Sequence, residues 1–139
     1  MIAASEWKHT GVFEATSESG NTIVFDTDSP YENGPTPMEA VLMALCSCTS
    51  VDVVSILKKK RQEITGLRVS ATAERPTEAP RVFTRIMLTY AVRGKKLSRK
   101  AVEDAVSLSK NKYCSVSKML EKAVVIEYEI AYPDGEPEP

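Results

Sequence analysis

An α+β fold follows from three observations on this 139-residue chain. Short stretches of alternating apolar and polar residues flank one long, almost uninterrupted apolar segment. The strand-like stretches do not alternate regularly with helical ones, so the order reads strands, long helix, hairpin, two helices, strand. Turn and cap residues fall at the joints between these segments.

Glu6 to Ala15 mixes aromatic and β-branched residues and reads as a strand. Ser17-Glu-Ser-Gly-Asn21 supplies turn chemistry before a second short strand, Thr22 to Asp26, and Asp28 to Pro35 reads as a loop broken by Pro and Gly. The long helix is well marked. Thr36 is a good N-cap, Pro37 suits the first helical position, and Glu39 completes a capping box. From Val41 to Leu57 apolar residues cover nearly the whole circumference, which predicts a helix buried on most sides. One chain of this size has limited material to cover it, so a second subunit is expected to help.

Gly66 then separates the helix from two strands. Leu67, Val69, Ala71 and Ala73 alternate with polar residues, and Val82, Ile86, Leu88, Tyr90 and Val92 keep to alternate positions. The intervening Pro76-Thr-Glu-Ala-Pro80 predicts an antiparallel hairpin with a long turn. Ser98 can cap a helix to about Asn111, with Leu97 and Val102 as its staple. A short helix from Val116 to about Glu121 follows. In the last strand Val124, Ile126, Tyr128, Ile130 and Tyr132 share one face. The pattern reads as one domain over residues 1–132, with 133–139 as a disordered, proline-rich tail.

The charge balance, 18 basic against 19 acidic residues, argues against a dedicated nucleic-acid binder. The one basic cluster, Lys58 to Arg61, follows the apolar helix, where cations complement the helix dipole. That helix is not expected to enter a membrane. It carries Glu39, Asp52 and several hydroxyls, and its uncharged stretch from Ala40 to Val51 is too short to span a bilayer. The first residues lack a charged n-region followed by an apolar core. A cytoplasmic protein with reduced thiols is the expectation.

The chemistry-bearing residues are the thiols. Cys46 and Cys48 are two apart on a helix, about 200° around its axis, so they cannot bond to each other. Cys46 reads as core filler. Cys48 sits mid-helix, where apolar surroundings oppose ionisation, with Asp52 one turn beyond it. Cys114 precedes a short helix, whose free N–H groups favour a nearby anion. If Cys48 and Cys114 meet, they can act as attacking and resolving thiols. Glu39 is explained by the capping box alone, although a catalytic role is open to it. His9, the only histidine, reads as a surface strand residue. No serine triad, metal-ligand cluster or phosphate loop can be assembled.

Three segments, Gly34-Pro-Thr-Pro-Met-Glu-Ala40, Ala44-Leu-Cys-Ser-Cys-Thr49 and Lys112-Tyr-Cys-Ser-Val-Ser117, resemble the OsmC/Ohr family of osmotically inducible and organic hydroperoxide resistance proteins. Ser50 to Lys58 and Glu78 to Thr84 are most similar to its YhfA-like branch. The resemblance implies an OsmC-like fold, in which two antiparallel-rich sheets wrap around long central helices in an intertwined homodimer. It implies thiol-dependent reduction of organic hydroperoxides, with Cys48 as the peroxidatic thiol and Cys114 as the resolving one. Glu39 matches the glutamate that the family brings to the site from the other subunit. No bound cofactor is implied. An external dithiol returns the protein to its reduced state, and in some members this is a lipoylated protein. The chain departs from the family in two respects, one of them Cys46, a further thiol at a position that the family usually fills with a small residue. The family pairs its reactive thiolate with an arginine from the segment before the long helix, and here Asp26 to Gly34 has none. Arg81, Arg85 and Lys112 are candidate substitutes. Two readings stand: a hydroperoxide reductase, or a protein of weak or no peroxidase activity that binds or senses a small apolar or electrophilic ligand at the dimer-interface pocket.

Overall fold

A computed structural model describes residues 1–139. The architecture is α+β, with two three-stranded sheets. The chain divides into two compact units, Met1–Met43 and Ala44–Pro139, at a point the sequence pattern does not mark.

The first unit holds the antiparallel sheet β1 (Ala3–His9), β2 (Val12–Ser17) and β3 (Thr22–Asp26). The single strand expected across Glu6 to Ala15 is therefore two. Thr10, at φ 42°, turns the chain back, and the Trp7 indole donates to the Thr10 carbonyl at 2.8 Å. Trp7 then pairs with Phe13. His9 is exposed in β1, as expected. The turn at Ser17 to Asn21 is closed as predicted, with Gly20 at φ 85°. Asp26 organises the following loop, its carboxylate accepting from the Asp28 N–H at 3.0 Å and from the Asn33 side chain at 2.9 Å. Gly34 is required there, since a Cβ would lie 2.0 Å from the Val24 carbonyl oxygen. Helix α1 (Pro37–Lys59) starts as predicted: Glu39 N–H donates to Thr36 Oγ1 at 3.2 Å, and Thr36 N–H donates to Glu39 Oε2 at 3.0 Å.

The second unit takes α1 from Ala44 onward. Only Leu45, Thr49, Val53 and Leu57 of this helix are buried, a single stripe at four-residue spacing. The expectation of burial on most sides is thus corrected for the single chain: Met43 and Val51 are exposed. The helix ends where Arg61 takes a left-handed φ of 57° and Gln62 N–H returns to the Leu57 carbonyl at 2.9 Å. Strand β4 (Glu63–Glu74) begins three residues before Gly66, which marks a register shift inside the strand rather than its start. Its antiparallel partner β5 (Arg85–Lys95) starts after Val82, which is exposed outside the ladder. Ile86, Leu88, Tyr90 and Val92 alternate inward and form the core.

Ser98 caps α2 (Arg99–Leu108), accepting from Ala101 N–H at 3.3 Å. The expected continuation to Asn111 is a π-helical turn instead, Ser109–Tyr113. After it come α3 (Ser115–Leu120) and β6 (Val125–Ala131), which pairs parallel with β5. The tail makes contacts that its composition does not announce. Glu136 pairs with Arg99, and the Glu138 carbonyl accepts from Arg99 N–H at 2.9 Å. Two cationic side chains, Arg93 and Arg99, give the acidic tail its partners.

Candidate functional site

The second unit brings Cys48 and Cys114 together. Cys114 is fully buried, and the Cys48 thiol lies near enough to act on its ionisation. All three cysteines are free thiols. Each of the pair is placed by a different local device. Cys48 flanks the buried stripe of α1, one position before Thr49. Cys114 is set by the π-helical turn. Its N–H donates five residues back to the Ser109 carbonyl at 2.8 Å, and its extended backbone then makes it the N-cap of α3. Its sulfur accepts from Ser117 N–H at 3.3 Å.

That cap follows the sequence reading of a thiol at a helix start, but the electrostatic outcome differs. Burial raises the Cys114 pKa to about 11, although the Ser117 N–H acts the other way. The neighbouring Cys48 and the Asp52 carboxylate raise it further. One N–H of a short helix does not offset removal of a thiolate from water. Cys46 is half-buried rather than core filler, and burial raises its pKa as well.

Beside the thiols runs a line of buried hydroxyls. Thr49 Oγ1 lies 2.7 Å from Tyr90 Oη and 2.7 Å from Ser109 Oγ, and Ser109 donates to Asp52 Oδ2 at 2.9 Å. A carboxylate only accepts, so Ser109 donates to Asp52, with the Thr49 carbonyl 3.3 Å away as a second acceptor. Thr49 must then donate to Ser109, and Tyr90 to Thr49. Burial pushes the Tyr90 phenol up to about 12, which keeps it a donor. Asp52 is half-buried and lines a cavity of about 430 Å³ with Ser55, Ile56, Lys59, Leu108 and Tyr113. Thr49, Tyr90 and Ser109 were not singled out as site residues from sequence. A signal existed: Thr49 and Ser109 are hydroxyls on otherwise apolar buried stripes, and a buried polar group needs a partner.

The three candidate cations have other partners. Arg85 pairs with Glu127 at 2.6 Å, Arg81 Nε donates to the Pro76 carbonyl at 3.3 Å, and Lys112 stands 5.2 Å from the centre of the Tyr113 ring. Glu39 makes its capping-box bonds in the first unit.

The profile of the OsmC-like protein family matches residues 28–129, which includes both thiol segments. This chain belongs to the OsmC-like family. It is 48% identical over 126 residues to Protein YhfA of Escherichia coli K12, covering 91% of this chain and 93% of that one. Among solved structures it is similar to a hypothetical protein from Aquifex aeolicus VF5, at 32% identity and a TM-score of 0.80, covering 96% of this chain and 97% of that one. The organic hydroperoxide resistance protein OhrB of Bacillus subtilis has the same fold at 20% identity and a TM-score of 0.63, with 94% and 98% of the two chains covered. Family membership and the YhfA-like likeness expected from the three motif segments are thus borne out, as is the OsmC-like fold.

Proposed function

We propose that this OsmC-like protein is a thiol-dependent reductase of organic hydroperoxides, serving oxidative-stress defence in the cytoplasm. The observation that carries the reading is the juxtaposition of Cys48 and Cys114, supplied from α1 and from the start of α3. The Cys48 thiolate attacks the peroxide O–O bond, the alcohol leaves, and Cys48 becomes a sulfenic acid. Cys114 then attacks that sulfur, water leaves, and a disulfide forms. An external dithiol, with a lipoylated protein as the candidate, reduces the disulfide. A homodimer is part of the proposal, supported by the exposed apolar residues Met43 and Val51 on α1. In it Glu39 approaches the partner's thiols.

One observation favours a second reading, a ligand-binding or sensing protein with little peroxidase activity. The charged side chain acting on Cys114 is the Asp52 carboxylate rather than a cation. Intact mass after one equivalent of cumene hydroperoxide, with dimedone present, separates the two. The reductase loses two hydrogens rapidly, and Cys114→Ser accumulates a dimedone adduct on Cys48. No mass change in either protein sinks the reductase and leaves the binder.

A further inference from the structure

Cys114 has a difficulty as a resolving thiol. It is fully buried, and it must lose its proton while it forms the new sulfur–sulfur bond. We propose that Asp52 is the base that takes this proton, and that Ser109 is the positioning residue that aims it. The inference rests on the two-thiol reading of the site.

Three placements carry it. Asp52 lies four residues after Cys48 on α1, so carboxylate and first thiol share one helix face. Ser109 joins the carboxylate to the second thiol: its hydroxyl donates to Asp52 Oδ2 at 2.9 Å, while its carbonyl accepts the Cys114 N–H at 2.8 Å. The hydroxyl line behind it permits only one direction of donation, Tyr90 to Thr49 to Ser109 to Asp52. That line fixes one carboxylate oxygen and leaves the other free of protein partners. A buried threonine and serine thus stand behind the one carboxylate at this site.

The step balances. The Cys114 S–H bond breaks as its sulfur bonds to Cys48, and the proton goes to the free oxygen of Asp52. The S–O bond of the Cys48 sulfenic acid breaks in the same step. Asp52 then passes its proton to the departing hydroxide, which leaves as water. The cavity of about 430 Å³ beside Asp52 gives that water an exit. The titratable groups facing this assembly are Cys46 and Cys48 from α1, Tyr90 from β5, Tyr128 from β6, and Lys59 and Tyr113, which line the cavity with Asp52.

The test separates closure of the disulfide from the first attack, in a Cys46→Ala background. Ellman's reagent, an aryl disulfide, first forms a mixed disulfide at Cys48 and releases one arylthiolate. Attack by Cys114 releases the second, with no peroxide involved. The second release is expected to slow about 100-fold in Asp52→Asn, the scale of a lost general base. Its rate should then rise about tenfold per pH unit, as for a thiol that must ionise unaided, whereas the parent rate stays flat from about pH 6 to 8. The first release should change little. A second release in Asp52→Asn at the parent rate and with the parent pH profile overturns the inference, as does a parent protein that never gives a second release. If Asp52→Asn does not fold, Ser109→Ala and Asp52→Glu replace it. Slower closure in Ser109→Ala, with the flat profile kept by both, supports the inference, and unchanged closure in Ser109→Ala defeats it. The same closure measured after cumene hydroperoxide keeps the two ideas apart. Inertness to peroxide with a slowed second release defeats the reductase and spares the base.

Discussion

The two three-stranded sheets are made of similar stretches but are treated oppositely by the fold. In β4–β5–β6 the inward positions Ile86, Leu88, Tyr90, Val92 and Ile126 are buried. In β1–β2–β3 only Val12 and Asp26 are, and Trp7 and Ile23 stay 68% and 52% exposed. Alternation makes a strand amphipathic, but a covering layer decides whether the apolar face is a core. The sheet with a core supplies Tyr90 to the thiol region. The sheet without one retains apolar surface of the kind that marks an interaction site.

The contrast can be broken most forcefully at Leu88. Leu88→Ala is expected to destabilise the chain by about 2–5 kcal/mol, read from urea unfolding, because it opens a cavity in a filled core. The next effect is pH dependence. Cys114 has its pKa raised by burial from 9.0 to about 11, and Tyr90 from 10.0 to about 12. A raised folded-state pKa gives stability that is complete below the unfolded value and is lost as pH rises through the folded one. Stability under reducing conditions should therefore fall from about pH 9 upward, by about 1.4 kcal/mol per pH unit for each such group over its own interval. Cys114→Ala should flatten the fall between about pH 9 and 11, and an unchanged slope would show that this thiol is not desolvated. Tyr90→Phe comes third. It removes the donor to buried Thr49 and should cost about 1–3 kcal/mol in thermal or urea unfolding. Ile23→Ala, on the uncovered sheet, should change stability by no more than about 0.5 kcal/mol in dilute solution. At higher concentration it should lower the melting temperature relative to the parent if self-association covers this sheet. A loss of several kcal/mol in dilute solution would contradict the comparison.

Much of this molecule was legible before its structure. The α1 start is written in Thr36, Pro37 and Glu39, because a capping box is satisfied by neighbours in sequence. Ser98 announces α2 for the same reason, and the β5 face shows in its two-residue period. The failures share a cause. The Thr10–Gly11 turn puts its left-handed φ on Thr10, a residue type that does not announce it, and the π-helical turn has no composition to distinguish it from a continuing helix. Gly66 reads as a breaker and is instead absorbed by a bulge. The tail reads as disordered because its partners, Arg93 and Arg99, lie about 40 residues earlier.

By itself the sequence determined the element order, the helix caps, the family and the two thiols on which the reading rests, since all of these depend on residues near one another in the chain. Only the tertiary structure decided that Cys48 and Cys114 are neighbours, that burial outweighs the helix-start N–H at Cys114, and that four hydroxyl and carboxylate side chains line up beside them. Thr49 and Ser109 are 60 residues apart. Hydrogen bonds and desolvation are set by distance in space, and separation along the chain carries no record of it.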